Sequence, residues 1–183
     1  MVTTVGKHSN QSELLVKGRK MKLKVLNGRT FSTMITDYDR KVLWMLAPIG
    51  RQYMEYDLSA MGRSVPQFFH PEVKINKKKI AKEMVGDRKA IKYAAEVTSP
   101  GSARVFDGFL WIAESLPDYP LKWQDPEYQL TVDWQDAKLV ELDDSLFALP
   151  EGYLKVEPPK PGADVAGHQG QHRPESTAAE KKD

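Results

Sequence analysis

A chain of 183 residues, 40% of them hydrophobic and 28% charged, suits one domain with its own core, or one domain and a tail. The net charge of +2 is far from the basic field of a dedicated nucleic-acid binder. The absence of cysteine excludes disulfides, thiol catalysis and thiolate-held metals, and no apolar run approaches the ~18 residues of a membrane-spanning helix.

The first residues, Met1 to Lys7, lack the basic and then apolar pattern of a secretory leader. The expectation is therefore a cytosolic protein, or an exported one whose leader has been removed. Met21, Leu23 and Val25 alternate with Lys22 and Lys24, the period of a strand with one wet face. Asn27-Gly28 is a strong hairpin signal, because both turn positions favour positive φ. Phe31 to Thr36 is the expected partner strand, and Tyr38 to Lys41 the next turn. Val42 to Ala47 reads as a buried strand, Pro48-Ile49-Gly50 as its break, and Arg51 to Leu58 as the strand after it.

Ser64-Val65-Pro66 opens a short predicted helix that Pro71 ends, with Phe68 and Phe69 inside it. Ile75 to Met84 carries both helix and strand signals, and the reading adopted is strand from about Ile80. Ile91, Tyr93, Ala95 and Val97 alternate as a further strand, and Pro100-Gly101 marks a turn. Val105 to Ala113 and Leu121 to Gln124 are predicted strands. Tyr128, Leu130, Val132 and Trp134 alternate most cleanly of all, and Ala137 to Leu142 is the expected final pairing strand. Asp143-Asp144-Ser145 suits the cap of one turn carrying Leu146 and Phe147. Beyond Val156, residues rich in Pro, Gly, Gln, Glu and Lys bury too little apolar surface to offset ordering entropy. The expected division is a domain over 1–156 and a disordered tail over 157–183.

Charge is unevenly spread. Lys74, Lys77, Lys78, Lys79, Lys82, Arg88, Lys89 and Lys92 stand against three acids between Glu72 and Lys92. Ten Asp and Glu residues stand against Lys122 and Lys138 between Glu114 and Glu151. These segments are either solvated faces that attract one another or, for the first, a patch for anionic lipid or an acidic partner. His168 and His172 have metal-compatible spacing but lie in the expected tail, and His70 falls in a loop. The acidic pairs Asp37/Asp39 and Asp143/Asp144 fall at turns, where Asp is favoured for turn chemistry rather than catalysis. No nucleophile triad, phosphate loop or dinucleotide fingerprint is present, so neither an enzyme nor a cofactor is expected.

Several phrases then line up in order: Lys17-Gly18-Arg19-Lys20-Met21-Lys22-Leu23; Val42 to Pro48 with Gln52-Tyr53-Met54-Glu55; Leu110-Trp111-Ile112-Ala113-Glu114 with Tyr119-Pro120-Leu121-Lys122; and Ser145 to Tyr153 with its closing Phe-x-x-Pro-x-Gly-Tyr. The series, over roughly residues 12–156, resembles uncharacterised bacterial exported proteins related to the outer-membrane lipoprotein carrier, the LolA-like superfamily. Such relatives often carry a cysteine where this chain has Ala90 to Tyr93. The resemblance implies a mainly β fold: a curved antiparallel sheet, an unclosed barrel, with short helices on its concave side. It also implies export to the periplasm and an apolar cavity that holds a lipid or lipoprotein acyl chain.

On that reading Trp44, Leu46, Tyr53, Tyr56, Phe109, Trp111 and Trp123 line the cavity, unless they are ordinary core. Val65, Phe68 and Phe69 form its lid, and Lys77, Lys78, Lys79 and Lys82 make the basic patch. The expected function is non-enzymatic binding of an apolar ligand, with an interaction or envelope-sensor module on the same scaffold as the alternative. The expected partners are a lipid, a lipoprotein or an envelope protein, without nucleic acid and without a transmembrane segment.

Overall fold

The computed structural model describes residues 1–25, 33–60, 67–100, 102, 105–116 and 119–158. Twelve strands form one sheet: β1 Val2–Val5, β2 His8–Lys17, β3 Lys20–Val25, β4 Thr33–Asp37, β5 Val42–Ala47, β6 Gln52–Asp57, β7 Lys74–Val85, β8 Arg88–Thr98, β9 Val105–Ala113, β10 Pro120–Asp125, β11 Leu130–Asp133 and β12 Leu154–Lys155. Their order across the sheet is β12-β6-β5-β4-β3-β2-β1-β11-β10-β9-β8-β7. Every pairing is antiparallel except the two-residue parallel match of β12 with β6.

The sheet is curved and does not close into a barrel. The curvature can be read from the packing. Leu14 on β2 and Val97 on β8 are five steps apart in strand order, about 24 Å in a flat sheet. Yet both pack into one cluster with Phe106, Leu110, Trp123, Leu130 and Trp134. That cluster defines the concave face.

Most strands match the sequence reading; the two-residue β12 was not foreseen, and three larger differences stand beside it. First, β1 and β2 were not foreseen. They form a hairpin turned by Gly6 at φ +57°, and β1 joins the two halves of the sheet by pairing with both β2 and β11. Second, β7 begins at Lys74, six residues before Ile80. Its full-length ladder with β8 decides between the mixed local signals, as tertiary pairing commonly does for strands. Third, Ala137 to Leu142 pairs with nothing in the ladder. β11 already has β1 on one side and β10 on the other, so no edge is left for it. The Arg88 guanidinium donates to the Ala137 carbonyl (2.9 Å) and Lys17 Nζ to the Leu142 carbonyl (2.7 Å), while Leu139 and Val140 face solvent. The Asn27-Gly28 turn, the opening Ser64-Val65-Pro66 of the predicted helix, and the expected tail from 159 onward lie outside the described residues.

The sheet has a second apolar layer on its outer face. There the chain from Leu142 to Tyr153 straps across β4, β5 and β6, seating Leu146, Phe147 and Leu149 on Ile35, Trp44 and Leu46. A short 3-10 helix, Asp144–Phe147, begins this strap, capped as expected by the Asp143 carboxylate accepting from the Ser145 backbone N–H (2.8 Å). Asp37 likewise takes a turn role, accepting from the Asp39 and Arg40 backbone N–H groups.

Candidate functional site

The candidate site is the concave face where β1, β2, β3 and β11 meet the segment from Gln67 to Val73. That segment is held in place by short bonds. The Gln67 backbone N–H donates to Ser99 Oγ (2.8 Å), a hydroxyl that is itself buried. His70 N–H donates to the Gln67 carbonyl and Val73 N–H to the His70 carbonyl, making successive tight turns. The Tyr38 and His70 rings meet edge to face at 4.5 Å.

So anchored, the segment points two aromatic rings into the sheet's interior. Phe68 lies 5.2 Å from Trp123 and 5.2 Å from Trp134, and Phe69 lies 5.9 Å from Trp134 and 5.7 Å from Tyr119. Tilted and edge-to-face pairs of this kind each add about 0.5–1.5 kcal/mol beyond simple burial. Beside them remains a cavity of about 150 Å³, lined chiefly by Met1, Leu14, Leu23, Phe68, Val132 and Trp134. Its lining is almost wholly apolar. Burial pushes the Tyr119 phenol above its ordinary pKa, as expected for a hydroxyl at the margin of a dry interior. The indole N–H groups of Trp123 and Trp134 are buried in this same cluster without a hydrogen-bond acceptor among the described residues. An orphaned buried donor costs about 1–3 kcal/mol.

The strand register places each residue that the sequence put in the cavity. Trp123 is fully buried in the concave wall. Tyr56 pairs with Leu43, on the same side of the sheet as Met34 and Leu23. The other five lie on the outer face. Trp44 pairs with Ile35 and Leu46 with Tyr53, and all three (Trp44, Leu46, Tyr53) sit beneath the strap. Phe109 and Trp111 alternate with the concave Leu110 and face outward with Lys92 and Lys122. Lys92 Nζ stands 4.8 Å from each of these two rings and Lys122 Nζ 5.4 Å from Trp111. Trp134 and four residues that the sequence reading did not single out as lining, Leu14, Leu23, Leu130 and Val132, supply much of the concave lining instead.

Of the lid residues, Phe68 and Phe69 insert into the concave side as described, though from turns rather than a helix. The basic patch is divided by the pleat. Lys77 and Lys79 share the concave side of β7 with Ala95 and Tyr93, and Lys78 points the other way with Ala94. Lys82, beyond a bulge at Ile80, pairs with Glu114 (2.6 Å).

The outer face holds one polar group of interest. Glu55 accepts from Lys155 Nζ (2.8 Å) and from the Trp44 indole N–H (2.9 Å). The Lys155 bond first, then that of Trp44, holds its carboxyl below the ordinary range. Together with Lys17 to Asp144 (3.3 Å), this pair fastens the strap and the residues that follow it. Among the described residues no three His, Cys, Asp or Glu side chains are grouped to hold a metal ion, and no helix is long and apolar enough to cross a membrane.

The fold has a solved counterpart. An uncharacterised conserved protein from Thermus thermophilus superposes with a TM-score of 0.55 at 13% identity, over 86% of this chain and 88% of that one. A LolA superfamily protein from Nitrosomonas europaea aligns with a TM-score of 0.35 at 14% identity, over 80% of this chain and 86% of that one. The first likeness shows the fold alone. No protein-family model and no curated protein matches the chain.

Proposed function

We propose that this protein is a non-enzymatic, exported carrier or holder of an apolar ligand of the acyl-chain class, taken into the concave cavity. The observation that carries the reading is the insertion of Phe68 and Phe69, from a separately anchored segment, into an apolar hollow of the curved sheet. The 150 Å³ hollow is smaller than the ~300 Å³ or more of a typical small-molecule site. Entry of an acyl chain therefore requires the two rings to withdraw, and the ligand takes over the apolar contacts they leave. Burying hydrocarbon there is worth about 25 cal/mol per Å². A ligand bearing an ester or carboxyl oxygen also offers an acceptor to the orphaned indoles of Trp123 and Trp134. The ordered phrases that resemble the lipoprotein-carrier superfamily support the same class, and export follows from that resemblance.

The test is titration of a dansyl-labelled long-chain fatty acid into the full chain. Saturable binding is expected, lost in Leu23→Asp, which puts a charge on the concave wall, and kept in Phe109→Ser on the outer face. Equal loss in both folded variants, or no binding by the wild type, removes the proposal.

A further inference from the structure

The two ends of the sheet differ. At one end the two residues of β12 pair with Gln52 and Tyr53 at the start of β6. At the other, β7 pairs only with β8, and among the described residues nothing pairs with its outer edge. β7 has 12 residues, and its first six, Lys74 to Lys79, run in regular register against Tyr93 to Thr98 before the bulge at Ile80. Alternate backbone N–H and C=O groups of such an edge point away from the sheet, available to another strand. Lys74, Lys77, Lys78 and Lys79 are all exposed on this stretch. Because side chains alternate, the charge lies on both faces of the edge, with Lys77 and Lys79 on one and Lys74 and Lys78 on the other.

From this juxtaposition we propose that the β7 edge receives an extended acidic peptide segment of a partner protein, which adds to the sheet as a further strand. Main-chain bonds along this stretch supply the attachment, and carboxylates on either side of the added strand meet Lys74 and Lys78 on one face and Lys79 on the other. The same charge argues against a second copy of this chain docking β7 on β7, which sets lysine rows against one another. The edge is separate from the concave cavity, so the two proposals stand or fall independently.

The experiment is selection of displayed peptides of about ten residues, a typical strand or a little more, against the full chain. The enriched sequences are then synthesised and bound to the wild type and to K74E/K78E/K79E. The expected result is an acidic, β-prone consensus whose affinity falls about tenfold or more in the charge-reversed variant and falls similarly when alternate peptide nitrogens are methylated. Amide exchange within Lys74 to Lys79 is expected to slow on binding. Enriched peptides that bind both proteins alike, that tolerate N-methylation, or that protect no β7 amide overturn the proposal, as does failure to enrich any acidic sequence. Binding of phosphatidylglycerol vesicles that needs the same lysines, with no peptide enriched, assigns the patch to a membrane surface instead and also overturns it.

Discussion

Gly108 sits on β9 opposite Ala95, on the concave side, where Trp123 leans across from β10. A methyl group at this position would meet the Gln124 carbonyl oxygen at 2.2 Å and Trp123 Cζ2 and Cη2 at 2.8 and 2.9 Å. The indole can tilt, but the carbonyl belongs to the neighbouring strand and yields only if β10 moves away by about 1 Å. That movement stretches the β9–β10 ladder and loosens Trp123, which is fully buried. Overpacking a tight core typically costs about 1–3 kcal/mol, and weakening one or two ladder bonds adds about 1 kcal/mol each. Gly108→Ala is thus expected to lose about 3 kcal/mol, or roughly 6–12 °C in Tm for a chain of this size. Thermal unfolding followed by far-UV circular dichroism, with urea titration as a check, reads it. The double variant Gly108→Ala/Trp123→Phe separates the two clashes: relieving the ring alone should restore little. A loss below about 1 kcal/mol in the single variant, or full recovery in the double, refutes the backbone contact as the constraint.

Phe68→Ala should lower stability by about 2 kcal/mol, less than a fully buried Phe because the residue keeps some exposure, yet raise affinity for the dansyl fatty acid by about tenfold. Parallel losses of stability and affinity, from melting and titration of the same sample, would make Phe68 wall rather than plug. Phe147→Ala is expected to cost about 3 kcal/mol by uncovering Ile35, Trp44 and Leu46, while leaving ligand affinity unchanged; altered affinity would couple the strap to the cavity. Acid should release the strap. Lys155 and Trp44 hold Glu55 low, Ser145 holds Asp143 low and Lys17 holds Asp144 low, so their contribution is complete above the ordinary carboxylate pKa of about 4 and fades as pH falls through the lower folded values. Exchange of the Leu154 and Val156 amides, bonded to Arg51 and Tyr53, should therefore accelerate below about pH 4 beyond the intrinsic rate; a flat profile contradicts the sign.

Much of the ladder was legible from alternation. Val42 to Ala47 and Val105 to Ala113 are strands with the expected bounds, and Asp143 caps the turn that carries Phe147. Which face of each strand looks into the cavity was not. Alternation puts Trp44 with Leu46, and Phe109 with Trp111, but it does not say which set is concave. Both faces of β5 and β9 are buried: Leu43 and Leu110 on one side, Trp44 and Trp111 on the other. Their unbroken apolar runs, Val42 to Ala47 and Leu110 to Ala113, carry that signal, since a strand with one wet face alternates. The strap from Leu142 to Tyr153 is what makes the outer face of β5 dry, and nothing local to β5 reveals it. The β1–β2 hairpin escaped notice because Ser9, Asn10 and Gln11 dilute its pattern, although Val-Thr-Thr-Val before Gly6 is strand-prone. The unpaired fate of Ala137 to Leu142 follows from both edges of the preceding strand, β11, being already taken, a property of topology rather than of those residues.

The central claim is that the concave face holds an apolar ligand in place of Phe68 and Phe69. Native mass spectrometry of the full chain, produced behind a signal peptide and recovered from the bacterial periplasm, tests it most directly when followed by organic extraction of the bound fraction. The predicted result is a one-to-one adduct of lipid mass that is missing from folded Leu23→Asp protein. A bare mass for the wild type, or an adduct retained equally by Leu23→Asp, would contradict the claim.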